Sequence, residues 1–158
     1  MNNHFQGSVE NPHHLSVGAV MVNEHGEVAC HHFDTIGSLK DVYTLMRESL
    51  EDSETIEHCL ERGLMEEFGA KATLERLLGP IVSRFTTQNT VIEKTTLYFF
   101  MRCRSIDPAL RRLDDPESDS VICFIEPAQL AAKMRDQAKR YPDRTDIDES
   151  SILDRLNS

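Results

Sequence analysis

Apolar residues fall into short runs along most of this chain and take up a helical period in two stretches. Leu15 begins the first ordered pattern: Val17-Gly18-Ala19-Val20-Met21-Val22 is a run of strand length, Asn23 to Glu27 supplies turn residues, and Val28-Ala29-Cys30-His31-His32-Phe33 follows. That order predicts a hairpin whose first strand is buried on both faces. Residues 34–53 are mixed, with a short strand expected at Val42 to Met46. From Glu54 the apolar positions Ile56, Leu60, Leu64 and Phe68 recur every fourth residue, which predicts an amphipathic helix. Ser53 is the expected N-cap, and Gly69 stands where a left-handed C-terminal residue is wanted.

Strand-like segments follow at Thr73 to Leu78, Ile81 to Phe85 and Val91 to Arg104, the last two expected to pair antiparallel around Thr86 to Thr90. After an acidic loop, Asp114 to Asp119, a strand is expected at Val121 to Ile125. Pro127 near a first turn opens a helix over Ala128 to Lys139, and Asp148 to Leu156 reads as a final short helix. Strands, helix, strands, helix without internal repeats is an α+β arrangement, a mixed sheet flanked by helices. Residues 1–14 lack any period and read as a loosely ordered N-terminal arm, leaving residues 15–158 as one domain, which suits a chain of 158 residues.

Charge narrows the partners. Lys and Arg total 17 against 27 Asp and Glu, a formal net charge of −10, so electrostatic binding to DNA or to an anionic membrane is not expected. Cys30, Cys59, Cys103 and Cys123 are spread without zinc-like spacing and read as reduced, mostly buried thiols. The first residues lack a signal-peptide pattern, and together these features suggest a cytoplasmic protein.

Much of the acidity lies in one place: eight carboxylates, Glu48, Glu51, Asp52, Glu54, Glu57, Glu61, Glu66 and Glu67, fall within residues 48–67. On a helix Arg62 and Glu66 sit one turn apart, and Glu66 and Glu67 project near its end. Such carboxylates either line a solvated helix face or supply the oxygen ligands that a hard ion such as Mg2+ prefers.

The same stretch resembles the Nudix box, G-x5-E-x7-R-E-U-x-E-E-x-G-U with U aliphatic. Here it reads Glu48-x5-Glu54-x7-Arg62-Gly63-Leu64-x-Glu66-Glu67-x-Gly69-Ala70. The resemblance implies a Nudix-like α/β/α sandwich over roughly residues 15–140. It implies Mg2+ as cofactor, with Mn2+ as an alternative, held by Glu66 and Glu67, Glu67 being the expected inner-sphere ligand. Arg62 would pair with Glu54, Leu64 would pack the helix on the sheet, and Gly69 would end it. The implied reaction is attack of a metal-activated water on a small-molecule nucleotide substrate, cleaving the pyrophosphate of a nucleoside diphosphate linked to another moiety. Relatives of this kind are often homodimers.

Two positions depart from the box. Gly63 replaces a glutamate that commonly binds metal, and Glu48 replaces the first glycine. A carboxylate from elsewhere would then fill the gap, the candidates being Glu48, Glu51, Glu93, Asp115, Glu117 and Asp119. The family often takes its general base from a loop near the acidic segment, so Glu117 joins Glu66 and Glu67 as a catalytic candidate. The alternative is a degenerate domain that binds a nucleotide or protein partner without catalysis.

Other residues admit both a functional and a simpler structural role. His13-His14 and His31-His32 would make a transition-metal site if their strands met, or else one of each pair faces solvent and the other packs. Arg47, Arg84, Lys94 and Arg102 are candidate phosphate contacts or surface charges, and Tyr43, Phe33 and Phe85 are candidate stacking partners for a base or core residues. No phosphate-binding glycine loop, nucleophile elbow or dinucleotide fingerprint is present.

Overall fold

The alternation and turn chemistry of the sequence build a seven-stranded mixed sheet in a computed structural model, which describes residues 3–157. The strands are β1 (His13–Val22), β2 (Val28–Ile36), β3 (Leu39–Thr44), β4 (Met46–Ser49), β5 (Ala70–Thr87), β6 (Thr90–Ile106) and β7 (Val121–Ile125); the helices are α1 (Ile56–Phe68), α2 (Pro127–Arg140) and α3 (Ser150–Leu153). The order is β3-β2-β1-β6-β5, with β4 added to β1 and β7 to β2. β1 runs parallel to β6 and antiparallel to β4, while β5 and β6 form one long antiparallel hairpin. β1 and β2 pair only at Val22 and Val28; beyond that point β2 turns to β3 and β7.

Alternation along β1 sends its side chains to two cores. Val17, Ala19 and Met21 pack with Leu60, Leu64 and Phe68 of α1, whereas Val20 and Val22 pack with Leu130, Ala131 and Met134 of α2 and Ile152 of α3. Helices therefore cover both faces, as the α+β reading expected. None of the described helices is long and apolar enough to cross a membrane.

Several boundaries move for identifiable reasons. Helix α1 starts at Ile56 with Thr55 as N-cap, its side chain accepting from the His58 amide; Ser53 instead adopts φ 66 in the preceding turn. The segments expected at Thr73 to Leu78 and Ile81 to Phe85 are one strand, because Gly79, at φ 118, forms a bulge rather than a turn. Pro80 is tolerated there because β5 is a sheet edge. The short strand expected at Val42 to Met46 is split at Leu45 between β3 and β4.

The stretch read as a loose arm is tied down between its third residue and the start of β1, which lies two residues earlier than the boundary expected at Leu15. Asn3 donates to the Leu50 carbonyl, Leu15 to the Phe5 carbonyl and Glu93 to the Pro12 carbonyl, and Phe5 packs on the α1 core.

The break at Leu45 is filled by side chains from the C-terminal segment. The Gln137 carboxamide accepts from the Tyr43 amide and donates to the Tyr43 and Ile147 carbonyls. The buried Glu149 carboxylate accepts from the Leu45 amide at 2.9 Å and from the Tyr98 hydroxyl. Strand β4, which carries Arg47 and Glu48, is thus set in place from both ends.

Candidate active site

Helix α1 ends where the acidic residues meet. Gly69, at φ 63, closes the helix, and a Cβ there would lie 2.0 Å from the Asp107 carbonyl oxygen, so glycine lets the following loop approach. That loop supplies donors to helix-end carbonyls: Arg112 to Glu66 and Asp107 to Gly69. Its docking carries Asp115 and Glu117 to the end of α1.

Arg62 of α1 and Glu54, just before the helix, lie paired. Arg62 Nε donates to Glu54 Oε1 at 2.7 Å and Nη2 to Glu54 Oε2 at 3.1 Å, while Nη2 also reaches the Ser49 carbonyl at 3.0 Å. This guanidinium holds the Glu54 carboxyl down at about 2. The other edge of the guanidinium, Nη1, lies 3.2 Å from Glu48 and 3.6 Å from Glu66.

Glu66 is half-buried and also meets Arg112 at 3.2 Å. Among the described residues its carboxylate forms, with those of Glu48 and Asp115, a single group able to hold a metal, the three ligand atoms lying within 4.8 Å of one another. Octahedral Mg2+ with oxygens at about 2.1 Å sets neighbouring and opposite ligands about 3 to 4 Å apart, so small side-chain shifts close this spacing.

Glu67 is 1% exposed. Its Oε1 is 2.8 Å from His31 Nε2, and its Oε2 is buried with no hydrogen-bond partner among the described residues. Burial pushes its carboxyl well above the ordinary range, and the Glu117, Glu48 and Asp115 carboxylates push it further. Burial also raises Glu48, as well as Glu117 to about 8, the latter helped by a hydrogen bond with Asp115. An all-oxygen donor set with an orphaned buried oxygen and this excess of negative charge fits a hard divalent cation.

Sequence reasoning missed what holds Glu67. His31 is fully buried on β2, stacked on Phe68 with ring centroids 4.4 Å apart. Burial, with Arg111 nearby, lowers its pKa to about 3, so the imidazole is neutral. Ser120 Oγ accepts from Arg111 Nη2 at 2.8 Å and lies 2.6 Å from His31 Nδ1. The assignment that pairs both ring nitrogens of His31 has Ser120 donating to Nδ1 and Nε2–H donating to Glu67 Oε1. The inward alternation of β2 was the available signal for His31; Arg111 and Ser120 lie in a loop with no motif to mark them. His31→Phe keeps the stack on Phe68 and strands Glu67 Oε1, so a loss of about 2 kcal/mol is expected in denaturant unfolding of the metal-free protein. The double variant His31→Phe/Glu67→Leu, which removes both polar partners, is expected to recover most of it; additive losses in this cycle would deny the coupling.

The remaining candidates are not brought together. Glu51, Glu93 and Asp119 are exposed and outside the carboxylate group. His14 bonds Ser49 and the Gly7 amide, His32 pairs with Asp41 and stacks on Tyr43, and His13 is exposed, so the four histidines form no transition-metal site. Phe33 is buried in a core with Val42 and Ile147. Phe85 lies edge-on to His14. Arg47 donates to the Asp146 carbonyl at 2.7 Å, Arg102 pairs with Glu75, and Arg84 is exposed. Lys94 is half-buried with no hydrogen bond or ion pair to a described residue, and burial together with Arg47 lowers it to about 8. All four cysteines are free, and burial pushes the Cys30 and Cys59 thiols up to about 12.

Comparison with known proteins agrees with this geometry. The NUDIX domain model matches residues 12–144. Among solved structures, a NUDIX hydrolase from Nitrosomonas europaea superposes with a TM-score of 0.58 at 19% identity, covering 85% of this chain and 93% of that one. The MutT protein from Methanosarcina mazei Go1 gives 0.52 at 17% identity, covering 86% and 97%. The ORF135 protein of E. coli gives 0.52 at 13% identity, covering 75% and 77%. No curated protein matches the chain by sequence. With a seven-stranded mixed sheet between helices, a paired Arg62 and Glu54, and a family match across most of its length, the chain belongs to the NUDIX domain family.

Proposed function

We propose that this protein is a Mg2+-dependent pyrophosphohydrolase, with Mn2+ able to substitute, acting on a nucleoside diphosphate linked to another moiety. The observation that carries the reading is the buried Glu67 Oε2, unpartnered among the described residues, at the same helix end where Glu66 gathers with Glu48 and Asp115, their ligand atoms within 4.8 Å of one another. Glu66 and Glu67 are assigned as metal ligands and Glu117 as the catalytic carboxylate. A bound divalent ion supplies charge neutralisation for the phosphates and a more acidic water.

The chain's own groups do the rest. Glu117, half-buried and raised to about 8 by burial and its hydrogen bond with Asp115, is assigned as the group whose ionised form takes the proton of the attacking water. Arg111 Nη2 donates to the Glu117 carbonyl and fixes that residue's backbone. His31 fixes the Glu67 carboxylate from behind. Lys94, with no acidic partner among the described residues, is assigned to a substrate phosphate. The free thiols suit a reducing cytoplasm.

The test is a pyrophosphatase screen over nucleotide sugars, dinucleoside polyphosphates, ADP-ribose and dNTPs, with Mg2+, with Mn2+ and with chelator. Metal-dependent release of a nucleoside monophosphate from at least one class is expected. Gly63 favours a second reading, binding of a nucleotide or protein partner without turnover. That reading prevails if no substrate is cleaved by the wild-type chain under any metal condition.

A further inference from the structure

Gly63 and Glu48, the two departures from the box, face each other. β4 pairs with β1 so that Glu48 lies opposite Val17, whose side chain packs in the α1 core, and Gly63 is buried on the α1 surface that meets β4. A Cβ on Gly63 would lie 3.1 Å from Glu48 Cβ, 2.9 Å from Met46 Sδ and 3.1 Å from Met46 Cε. The helix position that lacks its carboxylate and the strand position that has gained one therefore crowd the same space, and a side chain at residue 63 would have to displace Met46 and press on Glu48 Cβ. Glu48 uses that space to bring an oxygen within 4.8 Å of ligand oxygens of Glu66 and Asp115. Independently, the buried Glu67 Oε2 has no partner among the described residues, and Glu48 is among the carboxylates whose charge bears on it.

We propose that Glu48 supplies from strand β4 the metal-binding carboxylate that α1 lacks at Gly63, so that the two departures are one exchange. The metal site then comprises Glu48, Glu66 and Asp115 with Glu67 at its buried side. The proposal rests on the metal-dependent reading above. Arg62 serves both arrangements: it reaches Glu48 and Glu66 with one nitrogen while its other edge stays on Glu54, so it balances the relocated carboxylate without giving up the box pair.

The test is Mn2+ binding to the full chain, without substrate, followed by the loss of the free-ion paramagnetic resonance signal. Glu48→Gln is expected to weaken Mn2+ by about tenfold or more, in the range that loss of a supporting or ligating group gives. The exchanged variant Glu48→Gly/Gly63→Glu is expected to return to within about threefold of wild type, far above the product of the single effects. Gly63→Glu alone, with Glu48 still in place, is expected to bind no more tightly than wild type. Circular dichroism identifies any variant that fails to fold; if the exchanged chain does, Glu48→Asp, which keeps the charge and shortens the reach, takes its place and is expected to fall between wild type and Glu48→Gln.

Mn2+ affinity of Glu48→Gln within about twofold of wild type overturns the proposal. If Glu67→Gln loses Mn2+ in that case, the hydrolase reading survives without it. Mn2+ binding that depends on Glu48 in a chain that cleaves no diphosphate upholds the exchange and removes the hydrolase reading. A wild-type chain that binds no Mn2+ overturns both.

Discussion

Glu67→Gln is expected to lower kcat by about a thousandfold or more under saturating Mg2+ while making the metal-free protein more stable. With Glu67 as the proposed metal ligand, the activity loss follows from replacing its carboxylate with an amide that binds a hard cation poorly. The stability gain follows from burial. The Glu67 side chain is 1% exposed, its Oε2 has no partner, and three carboxylates raise its free energy of ionisation. The isosteric amide keeps an oxygen to accept from His31 and carries no charge, so a gain of about 1 kcal/mol, or a Tm rise of about 2–4 °C, is expected in chelator near neutral pH.

The pH dependence has a definite sign. A carboxyl raised above its ordinary 4.5 in the folded state holds a proton that the unfolded chain releases. Folded protein then binds more protons than unfolded protein, so stability falls as pH rises above about 4.5. Glu67→Gln should flatten this slope without abolishing it, because Glu48 and Glu117 are raised as well. Melting curves across pH in chelator, alongside turnover of the best substrate, check both halves. A variant that is less stable than wild type in chelator, or that retains more than about a tenth of kcat, would contradict the role given to Glu67.

Arg62→Met is expected to cost about 3 kcal/mol of folding stability, among the larger effects available to one substitution. The apolar stem remains, but Glu54, 5% exposed, loses two hydrogen bonds, the Ser49 carbonyl loses one, and Glu48 and Glu66 lose the cation between them. Here the sign runs the other way. Glu54 is depressed to about 2 from 4.5, so its contribution is fully present above about pH 4.5 and disappears as pH falls towards 2. The gap between wild type and Arg62→Met, measured by urea unfolding, should narrow over that window. Glu54→Gln should produce a similar loss, and the double variant should lose less than the sum. Equal stability of wild type and Arg62→Met at neutral pH would remove the architectural role of the pair.

Helix α1 and its glycine end were legible because burial imposes a four-residue period and Gly69 has a single conformational use. The β5–β6 hairpin was legible at Thr86 to Thr90 for a similar local reason. What escaped depends on partners distant in sequence. Gly79-Pro80 has turn chemistry, yet at a sheet edge it makes a bulge within one strand. Thr55 rather than Ser53 caps α1, a choice between hydroxyl residues two positions apart that the backbone of the preceding turn decides.

In the candidate site, Glu66, Glu67, Arg62 and Glu54 could be named because they share one local motif. Glu48 could be suspected, since it replaces a glycine, but its juxtaposition with Gly63 appears only once β4 is laid against α1. His31 was visible as half of a histidine pair. Its carboxylate partner lies 36 residues away and its serine partner 89 residues away, separations at which no spacing rule operates. Such contacts are set by sheet registry and loop docking rather than by local sequence.

The hold that the C-terminal segment keeps on Leu45 bears on where this domain ends as a physical unit. The stretch held in common with the family stops at residue 144, yet Ile147 and Glu149 lie beyond it and partner Gln137, the Leu45 amide and the Tyr98 hydroxyl. Strand β4 is only four residues long, and it carries Glu48 on one face and Arg47 on the other. Residues beyond the matched stretch thus belong to the same cooperative folding unit as the carboxylates, and Ile147 and Glu149 tether the strand that carries Glu48.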